Sequence, residues 1–329
     1  DIGAGSRDQL CPAVAGFGVE RLLVVTDKPL VELGLVTPVV DHLGALGVST
    51  TVFDGVLPDP TVAVVEQGLQ TLRSDNCDGV LALGGGSSLD SAKVIALAAA
   101  NDLDALGCVG VNKAKLPSLP FFAIPTTAGT GSEATVAAVI SDNETHEKLF
   151  VIDKKIVPSA AALDAGIMRG LPPAITAATG MDALTHAVES YIGRWSTSDS
   201  ANYGRTATRL ILNNLETACT DGGNLAAREA MALASYYAGL AFTQAMVGYV
   251  HAISHQLGGH YGIPHGQGNA MVLPHVLELL EEAARDRLAE LASHCGLGKP
   301  GDSAAALSRC FIDRIWQLND AVGIPRGTD

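Results

Sequence analysis

The 329-residue chain changes texture near residue 170, and that change limits its fold more than any single motif does. Before it, short apolar runs rich in β-branched residues alternate with helical stretches. Residues 22–25, 51–53, 79–83, 121–124 and 150–152 read as strands, and 60–74 and 89–100 as helices, the latter with Ser87 or Ser88 available as its cap. Such alternation is the pattern of a parallel sheet wrapped by helices. After Leu171-Pro172-Pro173 the strand signal vanishes, and residues 174–191, 201–217, 225–243 and 276–293 are long Ala- and Leu-rich segments of helical period. The expectation is an α/β domain over residues 1–170 and an all-helical domain over 171–329.

Composition removes several function classes. With 47% apolar and 17% charged residues, the chain is globular and not disordered. A net charge of −14 leaves no clustered cations for nucleic acid. The six cysteines, at positions 11, 77, 108, 219, 295 and 310, show no CxxC spacing, which points to reduced thiols and neither a zinc ribbon nor a disulfide scaffold. No apolar run approaches the ~18 residues of a membrane span. The sequence starts Asp1-Ile2-Gly3 without Met and without a signal-peptide pattern, and the expected location is the cytoplasm.

Side chains that bind metals concentrate in the second half. Asp182-Ala183-Leu184-Thr185-His186 sets a carboxylate and an imidazole one helical turn apart on one face, and His251-Ala252-Ile253-Ser254-His255 does the same for two imidazoles. Gly262-Ile263-Pro264 then makes a turn that delivers His265. A lone histidine such as His186 is ordinarily just packed, but five of the nine histidines fall within residues 251–275. One carboxylate with up to three histidines and no thiolate suits Fe(II), Zn(II) or a similar divalent ion. Ala252 stands where a zinc protease has glutamate, so this is not an HExxH site. His260, His275 and His294 lack comparable spacing and are read as structural.

In the first half, Gly84-Gly85-Gly86-Ser87-Ser88 follows a strand and runs into a helix. Free N–H groups at a helix N-terminus, with no Cβ in the way, suit a dinucleotide pyrophosphate. The string is neither GxGxxG nor a Walker loop, and tight packing alone also selects glycine at a strand-to-helix turn. A second polar loop, Pro125-Thr126-Thr127-Ala128-Gly129-Thr130-Gly131-Ser132-Glu133, follows another apolar strand; it is either ligand-binding or a capped turn. Two such loops at strand C-termini mark a ligand crevice in a Rossmann-like sheet. Asp27 ends the first strand, where a carboxylate accepts ribose hydroxyls and repels a 2′-phosphate, favouring NAD over NADP; the same residue can also cap a helix. Asp59 is a similar case.

Taken in order, Val25-Thr26-Asp27-Lys28, Gly84-Gly85-Gly86-Ser87 with Asp90 and Lys93, Pro125-Thr126-Thr127-Ala128-Gly129-Thr130, Ala178-Thr179-Gly180-Met181-Asp182-Ala183-Leu184-Thr185-His186 and the histidine block of residues 250–266 carry a family resemblance. Over nearly its whole length the chain resembles the iron-containing (group III) alcohol dehydrogenases, the group that includes lactaldehyde reductase and 1,3-propanediol dehydrogenase. The resemblance implies metal ligands at Asp182, His186, His251 and His265, with His255 near the metal but not bound to it. It implies NAD contacts from Asp27 to the ribose, from Gly85, Gly86 and Ser87 to the pyrophosphate, and from Thr126, Thr127 and Thr130 to the phosphates or nicotinamide side. Asp59 and Lys148 match further cofactor-lining positions. The family pattern has one more segment before Gly3 and several tens of residues beyond the 319–325 region.

The activity so implied is hydride transfer between a small primary alcohol or diol, or the matching aldehyde, and NAD(H). A divalent ion, Fe(II) or Zn(II), would lower the pKa of the alcohol oxygen. His255 is the candidate to relay the proton, or else a residue that only orients a ligand. The expected partners are the small substrate and further copies of the chain, as a dimer or larger homo-oligomer, with no nucleic acid and no membrane. Two other readings stay open at this level: a dehydroquinate synthase-like lyase that also joins metal to NAD, and a metal- or nucleotide-binding protein without turnover.

Overall fold

Leu22 through Val25, Gly79 through Gly84 and Phe121 through Pro125 are buried at every position. Strands apolar on both faces need helices over both, and this selects a parallel sheet built through helical crossovers. The computed structural model describes residues 1–145 and 147–327. They fall into two compact units, Asp1–Thr127 with Ser132–Met168, and Ala128–Gly131 with the residues from Arg169 onward.

The first unit runs α1 (Ser6–Gly16), β1 (Arg21–Val25), α2 (Lys28–Glu32), α3 (Thr37–Ala45), β2 (Ser49–Phe53), α4 (Val62–Ser74), β3 (Gly79–Gly84), α5 (Gly86–Asn101), β4 (Gly110–Val111), β5 (Phe121–Pro125), β6 (Ala137–Ser141), β7 (Lys148–Ile152) and β8 (Ala160–Ala161). Five strands form one sheet in the order β2-β1-β3-β5-β8, every pair parallel. The order reverses between β1 and β3, so the crevice beyond their carboxyl ends is the topological switch point where open α/β sheets take ligands. Asp27 and Gly84 to Gly86 stand at those two ends. A smaller sheet, β4-β7-β6, joins a parallel pair to the β6–β7 hairpin; of these three strands only part of β7 is expected from the sequence. The core between α4, α5 and the sheet is apolar, with Leu69, Val94, Ile95 and Phe121 at most 1% exposed.

The second unit is helical: α6 (Pro173–Ile192), α7 (Ser198–Thr220), α8 (Leu225–Ala245), α9 (Tyr249–Tyr261), α10 (His265–His294) and α11 (Ala304–Val322). Pro173 starts α6 where its missing N–H is not needed. Thr197 and Ser200 form a reciprocal capping box on α7, and Asn224 and Ser303 cap α8 and α11. Nearly all of α6 from Gly180 to Tyr191 is buried, with α7, α8 and α10 packed around it. Among the described residues no helix is long and apolar enough to cross a membrane.

Candidate metal and cofactor sites

In the first unit α5 begins at Gly86 with Gly85 as its N-cap, and no side chain caps it; Ser87 and Ser88 lie inside its first turn, contrary to the expected serine cap. The first-turn N–H groups have no intrahelical acceptor. A β-carbon on Gly84 would stand 2.3 Å from Ser88 Oγ and 2.6 Å from its Cβ, so the turn itself requires glycine there. Gly85 differs: a β-carbon would meet only Thr127, at 3.5 Å. The two polar loops are tied by Thr126 N–H donating to the Gly84 carbonyl at 2.9 Å. Asp27 accepts from Leu30 N–H at 2.9 Å and caps α2, so one carboxylate oxygen serves the fold.

The other expected cofactor residues are placed less uniformly. Asp59, with φ +59°, pairs with Lys148, and Ser141 Oγ donates to the same carboxylate oxygen at 2.6 Å; Lys148 Nζ also reaches Ser141 Oγ at 3.2 Å. These two residues are therefore brought to each other across the start of α4 and the β6–β7 hairpin. Thr130 separates from Thr126 and Thr127, because Ala128–Gly131 packs with the helical unit. Close approach explains this: a β-carbon on Gly129 would lie 2.6 Å from Thr179 Cβ, and one on Gly131, with φ +60°, 2.6 Å from the Ser235 carbonyl oxygen.

Two α5 side chains hold the stretch from Ser132 to Val139, just past that loop. Asp90 accepts from Ser132 Oγ at 2.7 Å and from Val139 N–H at 2.9 Å. Lys93, fully buried, spends its three donors on the Thr135 carbonyl and hydroxyl, both at 2.9 Å, and the Ala137 carbonyl at 2.8 Å. Burial lowers the Lys93 ammonium to about 8 and raises the nearby Glu133 carboxyl to about 7.

In the second unit Asp182 and His186 lie one turn apart on α6, His251 is in the first turn of α9, and His265 is the first residue of α10. Gly262, at φ +68°, ends α9, and Pro264 leads into α10, so the chain reverses within three residues and returns His265 beside His251. Asp182 Oδ1 is 3.9 Å from His186 Nε2, 3.7 Å from His251 Nε2 and 3.5 Å from His265 Nε2. One donor atom from each of the four residues lies within 4.8 Å of every other. Asp182, His186 and His251 are buried, whereas the His265 side chain is 43% exposed and leaves the cluster open on that side.

The His186 ring is stacked between Phe242, with centroids 4.3 Å apart, and His251, at 4.6 Å. Burial lowers His186 and drives His251 well below the ordinary imidazole value, so both stay neutral, as ligands must be. Burial alone would raise the Asp182 carboxyl, and the His265 imidazole and a hydrogen bond from the Asn269 amide act in the opposite direction and leave it lowered. The donor set fits a divalent ion of the Fe(II) or Zn(II) kind: one anionic oxygen, three imidazole nitrogens and an open side. His255 stacks on His265 at 5.2 Å and meets His251 edge-on at 5.9 Å, next to the cluster without joining it.

Two residues of this site escape sequence reasoning. Glu189 Oε2 lies 2.6 Å from His251 Nδ1, and Asn269 Nδ2 lies 2.7 Å from Asp182 Oδ1, 3.0 Å from His251 Nε2 and 3.2 Å from His265 Nε2. The signal is present in spacing: Glu189 continues the Asp182–His186 stripe by one more turn inside an apolar helix, and Asn269 sits one turn after His265.

Comparison with known proteins agrees with this layout. The family model described as iron-containing alcohol dehydrogenase matches residues 2–165, and that for the C-terminal part of the Fe-containing alcohol dehydrogenase family matches residues 176–328. The chain is 38% identical over 328 residues to the lactaldehyde reductase of Escherichia coli K12, covering 98% of this chain and 85% of that one. It is 39% identical to the NAD-dependent methanol dehydrogenase of Bacillus methanolicus, covering 99% and 86%. A crystal structure of 1,3-propanediol oxidoreductase superposes with a TM-score of 0.95 at 38% identity, over 99% of this chain and 86% of that one. Two family models in sequence order, spanning nearly the whole chain, establish that it belongs to the iron-containing alcohol dehydrogenase family.

Proposed function

We propose that this chain is a metal-dependent alcohol dehydrogenase that exchanges a hydride between a small primary alcohol or diol, or the corresponding aldehyde, and NAD(H). The observation that carries the reading is the Asp182, His186, His251 and His265 cluster, with four donor atoms within 4.8 Å and an open side at His265. Those four residues would hold the ion, Fe(II) by family and Zn(II) by ligand chemistry. When bound, a divalent ion there supplies Lewis-acid polarisation of the substrate oxygen. The first-turn N–H groups of α5, from Gly86 to Ser88, would bind a pyrophosphate, with Gly85 leaving room for it and Thr127 beside it. Asp27 has one carboxylate oxygen left for the ribose after capping α2. We assign to His255, against His265, the transfer of the hydroxyl proton to solvent through its imidazole.

The lyase alternative is not favoured. A phosphorylated, carboxylated substrate calls for clustered cations, and between residues 171 and 274 the sequence has only Arg194, Arg205, Arg209 and Arg228. Arg228 is buried and donates to Gly222, Thr176 and Leu171. The test is the purified chain loaded with Fe(II) or Zn(II), given NAD and a panel of primary alcohols and diols, or NADH and aldehydes, with absorbance followed at the NADH band. No change with any pair and either metal overturns the reading. A homo-oligomer and a cytoplasmic location belong to the same family-based proposal, and light scattering measures the first.

A further inference from the structure

Glu189 lies on α6 two turns beyond Asp182 and is 5% exposed. Its carboxylate has three hydrogen-bond partners, and all three come from the segment that opens α9. Oε1 accepts from Val250 N–H at 2.7 Å; Oε2 accepts from Gly248 N–H at 2.9 Å and lies 2.6 Å from His251 Nδ1. A β-carbon on Gly248 would stand 2.9 Å from Oε1, so glycine there lets the carboxylate reach the helix end.

The proton on His251 is then assigned by its partners. Burial raises the Glu189 carboxyl, but backbone N–H donors on both of its oxygens favour the ionised form, and an ionised carboxylate 2.6 Å from Nδ1 places the proton on Nδ1. A neutral imidazole then keeps its lone pair on Nε2, the atom 3.7 Å from Asp182 Oδ1 within the ligand cluster. Asn269 agrees: Asp182 Oδ1, 2.7 Å away, orients its Nδ2 inward, where it lies 3.0 Å from that same Nε2.

We propose that Glu189 is a positioning residue that fixes both the start of α9 and the His251 tautomer competent to bind a divalent ion, an inference that rests on the proposed metal site. A carboxylate that only capped α9 would have no effect on the ligand proton. Glu189→Gln tests this, because its amide cannot serve all three donors: either its NH2 meets Gly248 N–H and drives the His251 proton to Nε2, or its oxygen keeps those two bonds without the negative charge that holds the proton on Nδ1. The experiment strips the full chain with a chelator and titrates it with Co(II), reading affinity by chelator competition and ligand field by the visible d–d bands. Wild type should bind, and Glu189→Gln should keep its far-UV circular dichroism while binding about 10- to 100-fold more weakly with altered bands.

Equal affinity and identical bands in the two proteins overturn the role of Glu189 and leave the metal site standing. Absence of Co(II) binding by wild type overturns the metal site itself. If Glu189→Gln does not fold, the tautomer is read directly in metal-free wild type by long-range 15N–1H correlation of the histidine rings, with the His251 signals assigned by their loss in His251→Asn. A proton on Nδ1 is the expected result, and a proton on Nε2 overturns the proposal.

Discussion

Gly266 lies so close to Ala178 that an ideal β-carbon on it would stand 2.4 Å from the Ala178 carbonyl oxygen. The obstacle is backbone, which no rotamer change can move. Gly266 therefore sets the distance between α10 and α6, and with it the 3.5 Å from His265 Nε2 to Asp182 Oδ1. Gly266→Ala should push the start of α10 outward and cost about 1–3 kcal/mol of stability. The more informative measurement is the rise in Tm on adding Zn(II), which reports affinity for the native state. It should shrink in the variant, and an unchanged rise would show that the helix spacing does not govern the site.

Asp182 and His265 should differ in how much metal binding depends on them. Asp182 Oδ1 lies within 4 Å of all three imidazole nitrogens, it is buried, and it carries the charge. His265 is nearly half exposed, so a water can take its place. Asp182→Asn should abolish measurable binding, whereas His265→Ala should weaken it by about 10- to 100-fold, judged from the cost of disturbing such sites. Chelator competition compares the two, and equal losses would contradict the asymmetry.

The same residues indicate what a sequence discloses. Asp182 with His186, and His251 with His255, are legible as candidates because i,i+4 spacing on a helix is local; that spacing does not tell His251 from His255 or include His265, which the family resemblance supplies. Also legible are β1, β3 and β5, whose apolar runs bury both faces. Glu189 and Asn269 stay hidden because their roles depend on which helix lies opposite, and a lone Glu or Asn has no pattern to recognise. The β6–β7 hairpin is equally obscure: Ala137 and Ala138 have weak strand preference, and the hairpin is secured from outside by Asp90 and Lys93. Thr130 reads as part of one loop with Thr126 until Gly129 and Gly131 are found packed against Thr179, Ser235 and Gly239.

Glu133 should impose a pH dependence on stability. Burial raises its carboxyl to about 7 in the folded chain, against an ordinary value of 4.5. The native state thus binds more protons than the unfolded state between those values, so the contribution is fully present below about 4.5 and is lost as pH rises through 7. Glu133→Gln mimics the protonated form. Relative to wild type it should change little at pH 5 and gain stability at pH 8, by about 3 kcal/mol at most. Urea unfolding of both proteins at the two pH values gives the difference directly, and a gain equal at both would show that ionisation of Glu133 is not the cause.

Gly84 and Gly85 are neighbours with opposite reasons for being glycine. At Gly84 a methyl group would overlap Ser88 at both Oγ and Cβ, so Gly84→Ala should destabilise the β3–α5 turn, by about 1–3 kcal/mol. At Gly85 the backbone is extended, with φ −78° and ψ −171°, and a methyl group would meet only Thr127 at 3.5 Å. Gly85→Ala should therefore unfold at nearly the wild-type temperature. Its loss is the bare approach to the first-turn N–H groups of α5, the place proposed for the NAD pyrophosphate. The expected result is an increase in KM for NAD of about tenfold or more, roughly 1.4 kcal/mol of lost binding, with metal affinity unchanged because the ligands are in the other unit. An unaltered KM in a stably folded Gly85→Ala protein would remove the pyrophosphate from this turn, and Gly85 would then be glycine for no reason that packing supplies.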